Sequence, residues 1–127
     1  MAERDDRNIH RLAPFAHVAD VGRSIAFYAQ LGFEPVFIAK GDDDKPYWAH
    51  VKSGTGSLLL GLADAPISRT EQGIMLYMYC EDVAGLRTRL LAAGSKPSEV
   101  RHPPYMQEGE IRVEDPDGYT LLIGQAA

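Results

Sequence analysis

The chain has 127 residues, of which 45% are hydrophobic and 24% are charged, a composition typical of a single globular domain. Its formal net charge of −5 lacks the basic excess of nucleic-acid-binding proteins, so no nucleic-acid partner is expected. No apolar run approaches the ~20 residues of a membrane span, and the charged residues 1–8 lack the apolar segment of a secretory signal, so no membrane partner is expected. The single cysteine, Cys80, excludes an intrachain disulfide and favours a reducing, cytoplasmic location.

The first half of the chain reads as a strand, a helix and three more strands. Residues 11–19 form the first predicted strand, and Asp20 is a suitable N-cap for the helix that follows. Apolar residues then recur at helical spacing until Gly32 ends the helix. Gly-rich or Asp-rich turns separate the three later strands, which are predicted at residues 35–39, 47–52 and 57–62.

The second half repeats this order after a predicted linker at residues 63–72. Its strand covers residues 73–80, and its helix begins after Asp82 and ends at Gly94. A Pro-rich stretch, residues 96–105, either replaces the next strand or flanks a short one. The last two strands are predicted at residues 109–114 and 119–124.

The two halves align at a constant offset of 62 positions. This offset predicts an internal duplication of a βαβββ module, with module one at about residues 9–62 and module two at about 73–125. The predicted fold class is therefore α+β, with two tandem modules forming a curved mixed sheet around a concave cavity. The aligned pairs are Asp20 with Asp82, Val21 with Val83, Gly32 with Gly94, and Pro35 with Pro97.

The turn Asp115-Pro116-Asp117-Gly118 joins the last two strands. Together with the helix start at residues 20–28, the following Leu31-Gly32-Phe33 and the duplication, it resembles the vicinal oxygen chelate superfamily of glyoxalases, bleomycin-resistance proteins and dioxygenases. The resemblance covers about residues 9–125 and implies the fold more strongly than the activity.

The resemblance also implies where the metal enzymes of this superfamily carry their four ligands. Counting from the helix caps and from the Gly118 turn places the ligands at Ala13, Leu60, Met75 and Leu122. These side chains offer no oxygen or nitrogen donor for a divalent ion. We therefore expect no metal and no cofactor, and a closer likeness to the metal-free bleomycin-resistance branch.

Alternation along the strands predicts which side chains line the concave face. Aromatic and apolar walls with a few polar groups are typical of a small-molecule pocket. Glu110 and Arg112 share a strand face and are candidates for an ion pair, and residues 102–109 are either a lid or a stiff connection. The predicted ligand-binding residues are Phe15, His17, Trp48, His50, Leu60, Met75, Tyr77, Tyr79, Arg112 and Leu122.

Three functions remain open on the sequence. The first is a metal-free protein that sequesters a partly aromatic compound, either cationic or neutral, in a hydrophobic groove, and the resemblance implies a homodimer. The second is an enzyme of the same superfamily with a non-standard site around His17, His50 and Arg112. The third is a structural or regulatory dimer whose cavity is filled by its own side chains.

Overall fold

A computed structural model describes residues 8–69 and 72–126 of the chain. Most of the charged start predicted at residues 1–8, and Thr70 and Glu71 of the predicted linker, lie outside the described residues. The elements, in chain order, are β1 (Phe15–Val18), α1 (Val21–Ala29), β2 (Glu34–Lys40), β3 (Pro46–Ser53), β4 (Gly56–Leu62), β5 (Leu76–Cys80), α2 (Val83–Ala92), β6 (Glu110–Glu114) and β7 (Thr120–Gln125).

Both helices begin at the predicted aspartate caps. The Asp20 carboxylate accepts a hydrogen bond from the Arg23 backbone N–H at 3.0 Å, and Asp82 accepts from the Gly85 N–H at 2.9 Å. Each bond satisfies a backbone donor that the first turn of a helix leaves without an intrahelical partner. The cap predictions are confirmed.

Both helices also end in the same way, at glycines with positive φ. Gly32 has φ 92° and Gly94 has φ 90°, a conformation that glycine adopts without a Cβ clash. The N–H of Phe33 reaches back to the carbonyl of Tyr28 at 3.0 Å. The same bond recurs 62 positions later, from Ser95 to Leu90 at 2.9 Å, so the duplication extends to the hydrogen bonds of the caps.

The strands form two mixed sheets, which confirms the α+β fold class. The first has the order β1-β4-β3-β2, and the second has the order β5-β7-β6. In each sheet the first strand of the half runs parallel to the last one, and the other pairs are antiparallel. The two sheets are separate, whereas the sequence predicts one curved sheet.

The second sheet has no counterpart of β2 among the described residues. The Ser98 N–H donates to the Arg112 carbonyl at 2.8 Å, and Arg101 and Glu110 exchange two backbone bonds of 2.8 Å. The segment thus follows β6 without regular pairing. Of the two alternatives predicted for this Pro-rich stretch, the structure shows replacement of the strand.

The first strands of both halves are shorter than predicted. β1 begins at Phe15 and β5 at Leu76, so Ala13 and Met75 precede their strands. Pro14 still accepts a bond from the Leu59 N–H at 2.9 Å, but it has no hydrogen to donate.

One hydrophobic core is shared by both halves. It combines residues from α1 and the first sheet, such as Tyr28 and Leu60, with residues from α2 and the second sheet, such as Leu90 and Ile123. Since the helix side of each sheet contributes to this core, the other side of each sheet faces away from it.

The Asp115-Pro116-Asp117-Gly118 turn links the two halves through polar contacts. Asp117 accepts a bond from the Ala19 N–H at 2.9 Å and lies 3.4 Å from the Arg23 guanidinium. The buried Asp115 accepts the Tyr28 hydroxyl at 2.7 Å. The turn therefore holds the start and the buried face of α1, and both of its aspartates have a structural role.

Candidate functional site

The register of the first sheet decides which side chains share its outer face. Phe15 on β1 lies directly opposite Leu59 on β4, and Leu59 lies opposite His50 on β3. Leu60 pairs instead with Ala16 and Ala49, and all three are buried on the side of α1. The predicted position of Leu60 on the outer face is wrong.

The error comes from the length of one turn. Four residues separate the paired Lys52 and Ser57, whereas five separate the paired Glu114 and Thr120. The last strands of the halves therefore correspond at an offset of 63, not 62. The counterpart of Leu122 is Leu59, and shifting a strand by one residue exchanges its two faces.

The outer face of the first sheet carries the predicted group Phe15, His17, Trp48 and His50. The rings of Phe15 and His17 are 5.1 Å apart between centroids. Trp48 packs edge-to-face against Phe37, a β2 residue that the sequence analysis missed, at 5.9 Å. The Nε2 atom of His50 lies 3.2 Å from the Ser57 hydroxyl. We call this surface the first face.

The outer face of the second sheet carries Tyr77, Tyr79, Arg112 and Leu122, and we call it the second face. The rings of Tyr77 and Tyr79 are 5.1 Å apart. Tyr79 is 68% exposed and Arg112 is exposed, while Leu122 is half-buried. Met75, just before β5, is 56% exposed.

Within residues 8–69 and 72–126, the two faces do not meet. No hydrogen bond or ring contact between described residues joins the first-face group to the second-face group. Since both faces point away from the shared core, the described part of a single chain presents two half-sites rather than one cavity.

Each face contains an aromatic ring that lies over a glycine of the last strand. A Cβ at Gly61 would come within 2.6 Å of the Phe15 ring, and a Cβ at Gly124 within 2.7 Å of the Tyr77 hydroxyl. Phe15 and Tyr77 correspond at the offset of 62, and the two glycines at 63. The duplicated modules have therefore kept the same close approach of ring to backbone.

A buried carboxylate lies on the second face. Glu110 is only 5% exposed, and it accepts the Tyr77 hydroxyl at 2.6 Å and the Tyr105 hydroxyl at 2.9 Å. The predicted ion pair of Glu110 with Arg112 is wrong, because the two phenols occupy the carboxylate instead. Glu110 shares a strand face with Arg112, as alternation predicts, but it is not among the predicted ligand-binding residues.

The loop predicted as a lid or a stiff connection supplies one of these phenols. His102 Nδ1 lies 2.8 Å from the Gln107 carbonyl, which closes residues 102–107 into a compact turn. This turn brings Tyr105 to Glu110 and Met106 to Gly124. The loop therefore covers one end of the second face.

The phenols on Glu110 hold their protons tightly. Desolvation and the hydrogen bond to Glu110 raise the pKa of Tyr77, and the Glu110 hydrogen bond is the main cause that raises the pKa of Tyr105. Both hydroxyls consequently remain donors to the carboxylate at neutral pH.

The chain does not fit the metal that the superfamily resemblance implies. The corresponding positions hold Ala13, Met75, Leu122 and either Leu59 or Leu60, none with an oxygen or nitrogen donor. Across residues 8–69 and 72–126, no three His, Cys, Asp or Glu side chains are grouped as a metal site would require.

An open groove of about 440 Å³ runs beside β5. It lies between the β3–β4 turn, residues 53–56, and the side chains of Tyr77 and Tyr79. Leu31 and Leu86 contribute apolar wall. The groove is also lined by side chains from the helix side of the second sheet, namely Met78, Cys80 and Ile123. It therefore lies at the edge of β5 and reaches Tyr77 and Tyr79 from there, with a volume of small-molecule size.

Comparison with known proteins assigns the chain to a family. Residues 8–123 match the model described as the Glyoxalase/Bleomycin resistance protein/Dioxygenase superfamily. No curated protein sequence matches significantly. Within the described residues, neither helix has the length and apolar character needed to cross a bilayer.

Solved structures share the fold at low sequence identity. A bleomycin-binding protein complexed with bleomycin is 18% identical, with a TM-score of 0.73 over 94% of this chain and 100% of that one. TnmS3, an antibiotic binding protein from Streptomyces sp. CB03234, is 21% identical, with a TM-score of 0.70 over 94% and 98%. A mutant fosfomycin resistance protein from Listeria monocytogenes, complexed with Mn(II) and a dihydroxypropylphosphonic acid, is 14% identical, with a TM-score of 0.73 over 93% and 92%.

Proposed function

Because the chain belongs to the glyoxalase/bleomycin resistance protein/dioxygenase superfamily, we propose that it is a metal-free protein that binds and sequesters a small, partly aromatic compound. The observation that carries the proposal is the row of aromatic side chains on each outer face. On the first face Phe15 is 49% exposed and Trp48 is half-buried, and on the second face Tyr79 is 68% exposed. Exposed aromatic rings supply large apolar area and stacking partners for planar ligands.

The residues at the superfamily's ligand positions support binding rather than metal-assisted chemistry. Alanine, leucine and a thioether cannot replace the carboxylates and imidazoles that hold a catalytic divalent ion. Structural neighbours include proteins whose names state antibiotic binding, and also a fosfomycin resistance protein complexed with Mn(II). The fold alone is compatible with both, and the lack of oxygen and nitrogen donors at the superfamily's ligand positions supports binding.

The enzyme alternative gains no specific support from the geometry. His17 on β1 pairs with Gly61 on β4, and His50 on β3 pairs with Leu59 on β4. The strand β4 therefore lies between the two histidines. Strands are spaced roughly 4.8 Å apart, which puts these backbones about 10 Å from each other across the sheet. Arg112 is on the second face and does not join them.

We also propose that the protein is a homodimer. Each chain exposes two aromatic half-sites that point away from its core, and a partner chain that set its second face against the first face would complete a groove. Light scattering tests this directly, because a dimer has twice the 14.0 kDa mass of one chain. A monomer at all accessible concentrations would overturn the dimer and leave two separate shallow sites.

Fluorescence of the single tryptophan, Trp48, tests the binding function. Titration with bleomycin and with smaller planar aromatic compounds should give a saturable change for at least one of them. Replacing Trp48 by Phe removes the signal, so binding in that variant is followed by calorimetry. No saturable response from any compound, or a stoichiometric divalent metal in the purified protein, would contradict the proposal.

A neighbouring residue provides a matched control. Tyr47 precedes Trp48 on β3 and therefore points to the opposite side of the sheet. Tyr47→Leu should leave the affinity of the bound compound unchanged, whereas Trp48→Leu should weaken it by about tenfold, in line with the loss of one aromatic stacking contact.

We retain the cytoplasm as the proposed location. The one cysteine of the chain, Cys80, is free, as expected for a reducing compartment.

A further inference from the structure

The Tyr77–Glu110–Tyr105 cluster on the second face has only hydrogen-bond acceptors left to offer a ligand. Each phenol has one hydrogen, and each donates it to the Glu110 carboxylate. The phenolic oxygens keep their lone pairs, and an ionised carboxylate has no hydrogen to donate. A ligand that enters the cluster must therefore bring the donors.

The charge of the cluster also favours a ligand that donates hydrogen bonds and carries a positive charge. Glu110 is 5% exposed and forms no ion pair with another described residue. Arg112, two positions from Glu110 on the same strand face, and Arg101, the backbone bridge partner of Glu110, are both exposed, and neither forms an ion pair with the carboxylate. The charge of Arg101 does reach the rim of the cluster, where it lowers the pKa of Tyr105 against the larger effect of Glu110. Among the described residues the carboxylate is thus hydrogen-bonded but has no paired cation, and a cationic ligand would supply one.

The surrounding rings add a second attraction for a cation. Tyr77 lies 5.1 Å from Tyr79 and 6.4 Å from Tyr105 between ring centroids. Tyr79 and Tyr105 are 68% and 66% exposed, so their faces are accessible. Aromatic faces attract cations through the ring quadrupole.

From this arrangement we propose that Tyr77, Tyr79, Tyr105 and Glu110 form a subsite for a protonated amine or guanidine group of the bound compound. The cation donates hydrogen bonds to the phenolic oxygens and lies against the tyrosine rings, above the Glu110 carboxylate. The inference rests on the proposed binding function, and it names the chemical group that the second face selects.

A matched pair of probes tests the inference: benzylamine, protonated at neutral pH, and benzyl alcohol, which is neutral and of nearly the same shape. Binding is followed by the backbone amide NMR signals of Glu110 and Gly124. Benzylamine should bind at least about tenfold more tightly than benzyl alcohol. Equal binding of the two probes at these signals would overturn the inference.

A pair of charge-matched variants locates the effect. Glu110→Gln should abolish the preference for benzylamine, whereas Glu114→Gln, on the same face of β6 and more than half exposed, should change the benzylamine affinity less than about twofold. Comparable losses in both variants would show a general charge effect and contradict a subsite at Glu110.

A third variant covers the case in which Glu110→Gln does not fold. Tyr105 is mostly exposed, so Tyr105→Phe removes one acceptor oxygen without disturbing the core. It should weaken benzylamine by about threefold to tenfold and leave benzyl alcohol unaffected. Unchanged benzylamine binding would overturn the inference. If these subsite tests fail while Trp48 fluorescence still reports binding of aromatic compounds, the subsite is wrong and the proposed function stands.

Discussion

The hydroxyl of Tyr28 on α1 lies 2.7 Å from Oδ2 of Asp115, at the turn between β6 and β7. Tyr28 is 0% exposed and Asp115 is 2% exposed. The same carboxylate accepts the backbone N–H groups of Asp117 and Tyr119, each at 2.9 Å. One buried carboxylate thus organises the turn and binds a helix from the other half of the chain.

Removing the Tyr28 hydroxyl should destabilise the protein. In Tyr28→Phe the buried Asp115 loses its side-chain donor, so the free energy of unfolding should fall by about 1–3 kcal/mol. Urea denaturation measures the change. Tyr47→Phe is the matched control, because Tyr47 is half exposed, and its effect should stay within about 0.5 kcal/mol. An equal effect of the two substitutions would show that the bond to Asp115 contributes nothing.

The buried tyrosine should also make the protein sensitive to alkali. Desolvation and the charge of Asp115 raise the pKa of Tyr28 above its ordinary value of 10.0. Between that value and the raised one, the folded chain keeps a proton that the unfolded chain loses, so the free energy of unfolding decreases as the pH rises above about 10. Tyr28→Phe should flatten this alkaline decline.

The pH experiment needs a control variant that is less stable than the wild-type chain but retains the Tyr28 hydroxyl. Val83→Ala truncates a buried residue of α2, far from Tyr28 in sequence, and should lower stability at every pH by about 1–3 kcal/mol. Its alkaline slope should match that of the wild-type chain. If Tyr28→Phe retains the full slope as well, the decline must come from other groups.

The two glycines under aromatic rings should respond differently to alanine. At Gly124 the new Cβ would displace the Tyr77 hydroxyl, which is fixed by its 2.6 Å bond to Glu110. Gly124→Ala should therefore cost about 1–3 kcal/mol and lower the raised pKa of Tyr77 towards its ordinary value. Ultraviolet titration of the tyrosines measures the second effect.

Gly61→Ala is the comparison. The Phe15 ring has no hydrogen bond to lose and is half exposed, so it can rotate away from the new methyl group. The free energy of unfolding should fall by less than about 1 kcal/mol. A larger loss at Gly61 than at Gly124 would mean that sheet packing, not the Tyr77–Glu110 bond, governs these positions.

The duplicated helix caps should be energetically equivalent. Asp20→Ala and Asp82→Ala each remove one bond to a first-turn N–H, and each should cost about 1 kcal/mol. Thermal unfolding of the two variants checks this. Asp→Asn at either site retains the acceptor and should recover most of the loss. A strong inequality between Asp20 and Asp82 would show that the halves depend on their caps to different degrees.

The helix boundaries and most strand faces were predicted well, because each depends on residues that are close in sequence. The caps at Asp20 and Asp82, the glycine ends of the helices and the alternation along β3 and β5 each depend on a few neighbouring residues. The faces of Tyr77 and Arg112 followed from alternation along their strands, and those of Trp48 and His50 from the same alternation carried across the offset of 62. Their roles in ligand binding stay predictions.

The errors arose where a distant part of the chain decides the outcome. Leu60 was misplaced by a single residue of turn length, which reverses the face of a strand. The partners of Glu110 were missed because Tyr105 reaches it from an irregular loop with no periodicity. The separation of the two sheets depends on how the modules pack, which strand patterns do not encode.

The contacts between α1 and the Asp115-Pro116-Asp117-Gly118 turn span 87 to 98 positions of the sequence. During synthesis, α1 is made long before this turn. Until the ribosome has passed residue 117, the Tyr28 hydroxyl and the N–H of Ala19 cannot donate to Asp115 and Asp117. The first half of the nascent chain therefore lacks these hydrogen bonds during that time. Premature release of the nascent chain ahead of that residue would yield a fragment that exposes this face of α1 to chaperones and proteases.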